Sequence, residues 1–317
     1  MAAYKEVKGI NIQKLSADPP APIEGQVWYN TTSGALKGFK FGSAAWATGG
    51  NLNNASGELA GAGTATAGLR FGGSSSPRNA TEEYNGTSWT TSGNLGTGRY
   101  RLAGAGTQTA ALAFGGTIGA PTYTKTTATE EYNGSTWTSG GSMGTGRYNL
   151  MGCGTQTAGL VFGGNNGSLY DLTEEYNGSN WTAGGALNTA GRAGSGCGTQ
   201  TAGLRAGSFP GNTDAVEEYN GSNWTSVTPT PSGIGYGGAA AGIQTSALVM
   251  GGSNGGTNCS LYNGSTWSTT TSSNSNKIFA AAAGTTSSAI GFGGQATESE
   301  TEEYTGAGPA TVSFGDA

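Results

Sequence analysis

The phrase Glu-Glu-Tyr-Asn-Gly-x-x-Trp, first complete from Glu82 to Trp89, recurs along the chain at intervals of forty-odd residues. Tyr84, Tyr132, Tyr176, Tyr219, Tyr262 and Tyr304 mark its copies, and Trp46, Trp89, Trp137, Trp181, Trp224 and Trp267 mark the strand after each turn. A period of this length means stacked supersecondary units, either blades or solenoid turns. The Asn-Gly step between a β-prone Tyr and a β-prone Trp predicts a hairpin. Its expected turn is a two-residue type I′, with positive φ at both positions.

Composition without order would argue differently, because 61 glycines and 10% charged residues suit a low-complexity chain. Register overrules that reading: a glycine at a fixed offset from a Trp answers a backbone requirement. The 317 residues suffice for one large β domain or two smaller ones. A net charge of −5 leaves no basic stripe for phosphates, so no nucleic-acid partner is expected. The lack of a run of eighteen apolar residues argues against a membrane span, and Met1 to Leu15 lacks the apolar core of a signal peptide, so synthesis in the cytoplasm is expected. Cys153 and Cys197 take the place of Ala62, Ala105, Ala241 and Ala283 in other repeats. They are expected as small buried apolar residues rather than a disulfide.

Three segments follow. Residues 1–37 lie outside the repeat and are expected to be an attachment arm: a polar tail, an extended Pro-rich linker at 18–22, and a hairpin turning at Thr31 to Gly34, with Trp28 and Tyr29 as contact residues. A disordered leader followed by an edge strand is the blander alternative. Residues 38–306 carry the repeats, and 307–317 form a tail. Each repeat offers a Gly-rich first strand, a second ending near Gly-Gly, a Tyr-bearing third and a Trp-bearing fourth. Six copies result, with Phe41 and Tyr304 competing for one third-strand place. The chain enters on a lone Trp46 strand and its last repeat lacks a fourth strand. The final sheet is therefore expected to be stitched from both termini.

These residues resemble kelch-repeat β-propellers. Phe114-Gly-Gly116, Glu130 two residues before Tyr132, and Trp137 follow that family's blade pattern, with Glu82, Glu174, Glu217 and Glu302 matching; Ala206-Gly207 and Ser260 depart from it. The resemblance implies an all-β, six-bladed propeller closed by both termini, with a short N-terminal extended arm. Residues 24–37, together with the Thr-Gln-Thr-Ala style of the blades, also look like structural or tail-appendage proteins of tailed bacteriophages, marine ones especially. That likeness implies a virion protein, multimeric in its assembly, that docks on tail or capsid proteins through residues 1–37.

The chain has no histidine, which disfavours copper, zinc and Ser–His–Asp chemistry, and no cofactor is expected. Its Asn-Gly-Ser-x-Trp turns are similar to sialidase turns but lack their carboxylate, and the only aspartates are Asp18, Asp171, Asp214 and Asp316. Glutamates copied in nearly every repeat are expected to bond backbone. Tryptophans in one register are expected to pack on tyrosine rather than to form a sugar-binding row.

Function is expected where the repeats disagree. The loops from a fourth strand to the next first strand carry Glu58; Arg99, Tyr100 and Arg101; Arg147 and Tyr148; Arg192; Tyr236; and Lys277. In kelch propellers the equivalent loop helps to line the ligand-binding mouth, which implies a site for carboxylate-bearing or hydroxyl-rich targets. Loops 74–80, 117–129, 165–173 and 209–215 vary in length as recognition loops do. The leading expectation is a non-enzymatic host-attachment protein that binds a surface glycan or protein. A kelch-type adaptor that captures an acidic segment, and a glycan-active enzyme, are the alternatives.

Overall fold

The computed structural model describes residues 12–20, 25–119, 123–210, 213–231, 234–254, 256–295, 299–307 and 309–314. Its named elements are all β-strands, mostly in four-stranded sheets, a propeller-like all-β architecture. The chain divides into two compact units, Met1–Ala45 with Gly306–Ala317, and Trp46–Thr305.

In the larger unit each repeat is one antiparallel sheet with its strands in chain order. The first holds Ala60–Gly63, Gly68–Phe71, Thr81–Tyr84 and Trp89–Thr91; the third holds Met151–Thr155, Ala158–Phe162, Thr173–Tyr176 and Trp181–Ala183. The last joins Ala281–Gly284, Ser288–Phe292 and Thr301–Thr305 to Ala45–Thr48, a strand from the start of the repeat region. Tyr304 is therefore the third-strand tyrosine, and Phe41 belongs to Ala35–Phe41 in the smaller unit.

The hairpins form where expected, but with a different turn. Tyr84 pairs with Trp89, so the loop is Asn85-Gly-Thr-Ser88, and the left-handed conformation falls on the glycine alone (Gly86, φ +89°). The reason is the asparagine side chain. Asn85 Oδ1 accepts the backbone N–H groups of Thr87 and Ser88 at 3.0 and 2.9 Å, which closes the turn without straining its own φ. Asn133, Asn177, Asn220 and Asn263 do the same.

Neighbouring sheets interlock through one exchange of volume. The phenylalanine ending a second strand lies over a glycine in the next sheet's first strand; a Cβ on Gly104 would stand 2.4 Å from Phe71 Cζ. Where Phe is replaced by Ala206, the facing glycine is replaced by Ala240. Each Trp fills the remaining gap: Trp137 has its own Tyr132 at 4.9 Å and Phe71 of the preceding sheet at 4.9 Å. Its indole N–H donates to Thr81 Oγ1 at 3.0 Å, and Trp89, Trp181 and Trp224 donate likewise to Thr301, Thr129 and Thr173. Val216 and Cys259 stand in the threonine position before Trp267 and Trp46, and those indoles turn to the carbonyls of Thr228 and Thr271.

The second glutamate of each Glu-Glu pair clasps the following sheet. Glu83, Glu131, Glu175 and Glu218 accept the hydroxyls of Tyr132, Tyr176, Tyr219 and Tyr262 at 2.5 to 2.9 Å, and Glu303 accepts that of Tyr84. Leu261 interrupts the series, so Tyr304 bonds Thr270 instead. Burial, and then the adjacent carboxylate, push these five phenols from 10 to about 12. A raised folded-state pKa contributes stability that is complete below pH 10 and lost as pH rises through about 12. Cooperative alkaline unfolding is therefore expected between pH 10 and 12, with tyrosinate absorbance and sheet circular dichroism changing together. Full tyrosine ionisation with the sheets intact would contradict the clasp.

The smaller unit is itself a sheet. Gln13–Leu15 runs parallel to Val27–Asn30, which pairs antiparallel with Ala35–Phe41, which in turn pairs with Pro309–Phe314. Asp18 accepts hydrogen bonds from Asn30 (2.8 Å), Lys37 (2.9 Å) and the Trp28 indole (3.1 Å). These bonds hold its carboxyl below the usual range, Asn30 having the largest effect and Lys37 the next. The hairpin turning at Thr31 to Gly34 is present, between Val27–Asn30 and Ala35–Phe41, but residues 12–20 join it in a folded sheet rather than an extended arm, and 309–314 form a strand rather than a tail. Trp28 is fully buried under Asp18 and offers no contact surface, whereas Tyr29 is exposed. The expected polar tail at 1–11, and residues 21–24 of the expected linker and hairpin segment, lie outside the described residues.

Candidate functional site

Each connection from a fourth strand to the next first strand contains three consecutive positions with separate tasks. They are Ser56-Gly57-Glu58, Arg99-Tyr100-Arg101, Arg147-Tyr148-Asn149, Gly191-Arg192-Ala193, Gly235-Tyr236-Gly237 and Lys277-Ile278-Phe279.

The first position serves the core, which corrects part of the expected mouth. Arg99, Arg147 and Lys277 are fully buried and face Glu130, Glu174 and Glu302 at 3.2, 2.8 and 3.4 Å. Where this position is Ser56 or Gly191, the cation comes instead from the second strand: Arg70 pairs with Glu82 at 3.1 Å, and Arg205 with Glu217. Both arginines stand directly across the ladder from their glutamates. Where Ser260 replaces the glutamate, Gly235 and Val249 leave both cation positions empty of charge. Each buried acid thus has one buried cation, as the cost of an unpaired interior charge requires. The same glutamates accept backbone N–H groups of the loop, as Glu130 does from Gly96 and Glu174 from Gly144, both at 2.6 Å.

The third position builds a hoop. Glu58, Arg101, Asn149, Ala193 and Phe279 have φ between 52° and 57°, and Gly237 has φ 77°. Five of the six accept a left-handed backbone although they are not glycine, a cost of about 1–2 kcal/mol each. Each N–H bonds the carbonyl of its counterpart in the preceding repeat: Arg101 to Glu58, Asn149 to Arg101, Ala193 to Asn149, Gly237 to Ala193 and Phe279 to Gly237. Glu58 N–H then donates to the Phe279 carbonyl at 3.0 Å, so the series returns to its first member. A net gain of about 1 kcal/mol per bond offsets most of the strain.

The second position forms a rim. Tyr100, Tyr148 and Arg192 exchange backbone hydrogen bonds with Thr117, Asn165 and Phe209 of the variable loops, and the Tyr236 carbonyl accepts Ser253 N–H at 2.8 Å. Residues of different chemistry are thus held on one repeated frame. Arg101 is paired with Glu58 at 2.8 Å, and its guanidinium lies 5.5 and 5.7 Å from the rings of Tyr100 and Tyr148. Arg192 lies 4.5 Å over Phe209, and Tyr236 packs against Phe209 and Phe279 with centroids at 5.6 and 6.0 Å.

A cavity of about 360 Å³ opens here, lined by Arg101, Arg192 and Tyr236 of the expected residues. Glu58, and Phe209 from the expected variable loop 209–215, also line it, whereas sequence reasoning missed Asn149, Phe279 and Gln295. Phe279 was legible only by aligning it with Arg101 in the triplet. Tyr100 is buried beside Arg78 and Arg101. A second space of about 210 Å³ runs among the Gly- and Ala-rich first strands and includes Cys153 and Cys197. Both cysteines are free, and burial pushes their thiols well up, Cys197 to about 12, which keeps them protonated and unreactive at neutral pH. Compared with models of known protein families and with curated proteins, the chain matches none of them.

Proposed function

We propose that the repeat region is a six-bladed, kelch-like propeller closed by Ala45–Thr48, acting as the binding module of a tailed-phage virion protein. Its rim contacts a glycan or protein on the host surface, and the smaller sheet joins it to tail or capsid proteins. The observation that carries the binding reading is the split of labour within the triplets. The third position keeps the backbone hoop in all six triplets and the first holds either a buried cation or a small residue, while the second varies in chemistry as Gly57, Tyr100, Tyr148, Arg192, Tyr236 and Ile278, of which Tyr148, Arg192, Tyr236 and Ile278 are partly exposed. The ring reading is supported by the return of the backbone bonds from Phe279 to Glu58 and by the packing of Ala281–Gly284 against Ala60–Gly63. The virion reading rests on the likeness of residues 24–37 to phage tail-appendage proteins.

The two halves separate experimentally. Tyr148→Ala with Tyr236→Ala is expected to weaken binding of the labelled protein to host cells about tenfold or more while leaving the melting temperature within a few degrees. Removing residues 1–44 and 306–317 is expected to leave cell binding intact and to abolish incorporation into purified particles. Undiminished binding by the tyrosine variant refutes the rim, and continued incorporation refutes the mounting role.

A further inference from the structure

We infer that the rim cavity takes a carboxylate-bearing sugar, with Arg192 as the carboxylate partner and Tyr236 and Phe279 as the stacking surface. This rests on the binding reading above and narrows its ligand. Among the cations expected at the mouth, three are consumed by buried glutamates and Arg101 is paired with Glu58. Arg192 has no acidic partner among the described residues; its guanidinium rests only on the Phe209 ring, half-buried at the cavity wall. An arginine guanidinium over an aromatic ring keeps its planar fork of N–H donors, the geometry that meets a carboxylate with two parallel hydrogen bonds. Its backbone is fixed by reciprocal bonds to Phe209 at 3.1 and 2.9 Å, so little ordering remains for a ligand to supply.

The rest of the cavity suits a pyranose ring. Tyr236 and Phe279 form an adjoining aromatic wall, and Asn149, Gln295 and Glu58 supply donors and acceptors for hydroxyl groups. The volume of about 360 Å³ is at the small end of ligand pockets, about 300–1,000 Å³, which fits one or two sugar residues. An acidic peptide, the other anionic candidate, would bring several carboxylates to a site that has one uncommitted arginine and lies on a chain of net charge −5.

The test is titration calorimetry of the full chain with short glucuronic-acid oligosaccharides, sialyllactose, the corresponding neutral oligosaccharides and oligoglutamate. At least one carboxylated sugar is expected to bind about tenfold to a hundredfold more tightly than its neutral counterpart, the range for a charge-assisted pair. Arg192→Gln is expected to erase that difference while leaving thermal unfolding unchanged, and Tyr236→Ala to weaken acidic and neutral sugars alike. Equal binding of neutral and acidic sugars, lost in Tyr236→Ala but not in Arg192→Gln, overturns the carboxylate inference and leaves the rim reading standing. Tighter binding of oligoglutamate than of any sugar overturns it in favour of a peptide. Failure of every carboxylated sugar to bind overturns it outright, and the host-cell assay then decides the broader reading on its own.

Discussion

Replacing Arg147 by glycine is expected to lower stability by about 3–5 kcal/mol, and adding Val161→Arg to the same chain is expected to return most of that loss. Arg147 is fully buried, donates to the Leu172 carbonyl at 2.9 Å and to Glu174 at 2.8 Å, and leaves Glu174 as an uncompensated interior carboxylate when removed. For a unit of this size the melting temperature should fall by on the order of 10 °C. Val161 stands directly across from Glu174, as Arg70 stands across from Glu82 and Arg205 from Glu217. Glycine at 147 makes the room that an arginine at 161 needs, because at the equivalent Gly191 an added Cβ would lie 2.7 Å from Arg205 Nη2. Val161→Arg alone should destabilise, since it puts a second buried cation beside one acid. The two substitutions are thus predicted to be strongly non-additive, with a coupling of several times the usual scatter of about 0.5 kcal/mol for independent sites. A double variant no more stable than Arg147→Gly would show that the cation's place of origin is fixed by something other than charge.

That exchange also explains how far the sequence could be followed. The hairpins, the Tyr and Trp rows and the use of Trp46 to complete the last sheet were legible because each depends on contacts close in sequence or on a repeated register. The mouth was legible only in part. Arg99, Arg147 and Lys277 occupy polar-looking loops, and nothing local announces that each finds its acid about 25 to 31 residues further on. The signal lay between repeats: an arginine at Leu69-Arg70 or Leu204-Arg205 coincides with a small residue at Ser56 or Gly191, and Ser260 coincides with neither cation. The hoop gave no sequence signal, because Glu58, Ala193 and Phe279 are not residues from which a left-handed backbone is inferred. The turn type was misjudged for a related reason, since the asparagine side chain substitutes for a backbone conformation that Asn-Gly also permits. The pairing of Ala35–Phe41 with Pro309–Phe314 joins the two ends of the chain and lies beyond any repeat-based argument.

A chain beginning at Ala45 is expected to keep its repeat region folded, and one beginning at Gly49 to lose on the order of 10 °C in melting temperature and to self-associate. The four residues between carry the fourth strand of the last sheet, Ala45–Thr48. Within it Trp46 packs 5.0 Å from Tyr304, and its indole donates to the Thr271 carbonyl at 2.9 Å. Truncation of such an aromatic costs about 3–5 kcal/mol where it is buried, and somewhat less here because Trp46 is half-exposed. The larger consequence is topological. Without this strand Thr301–Thr305 becomes an edge with unpaired backbone groups, a template for another chain. The contact of this sheet with the preceding one lacks both the Tyr–Glu clasp and the Trp–Thr bond, because Leu261 and Cys259 stand in their places. A synthetic peptide spanning residues 43–50, added in excess to the shorter chain, should bind the vacant edge, raise the melting temperature in proportion to the logarithm of its concentration, and restore the monomer. Equal melting of the two truncated chains, or indifference to the peptide, would mean that the last sheet stands without its borrowed strand.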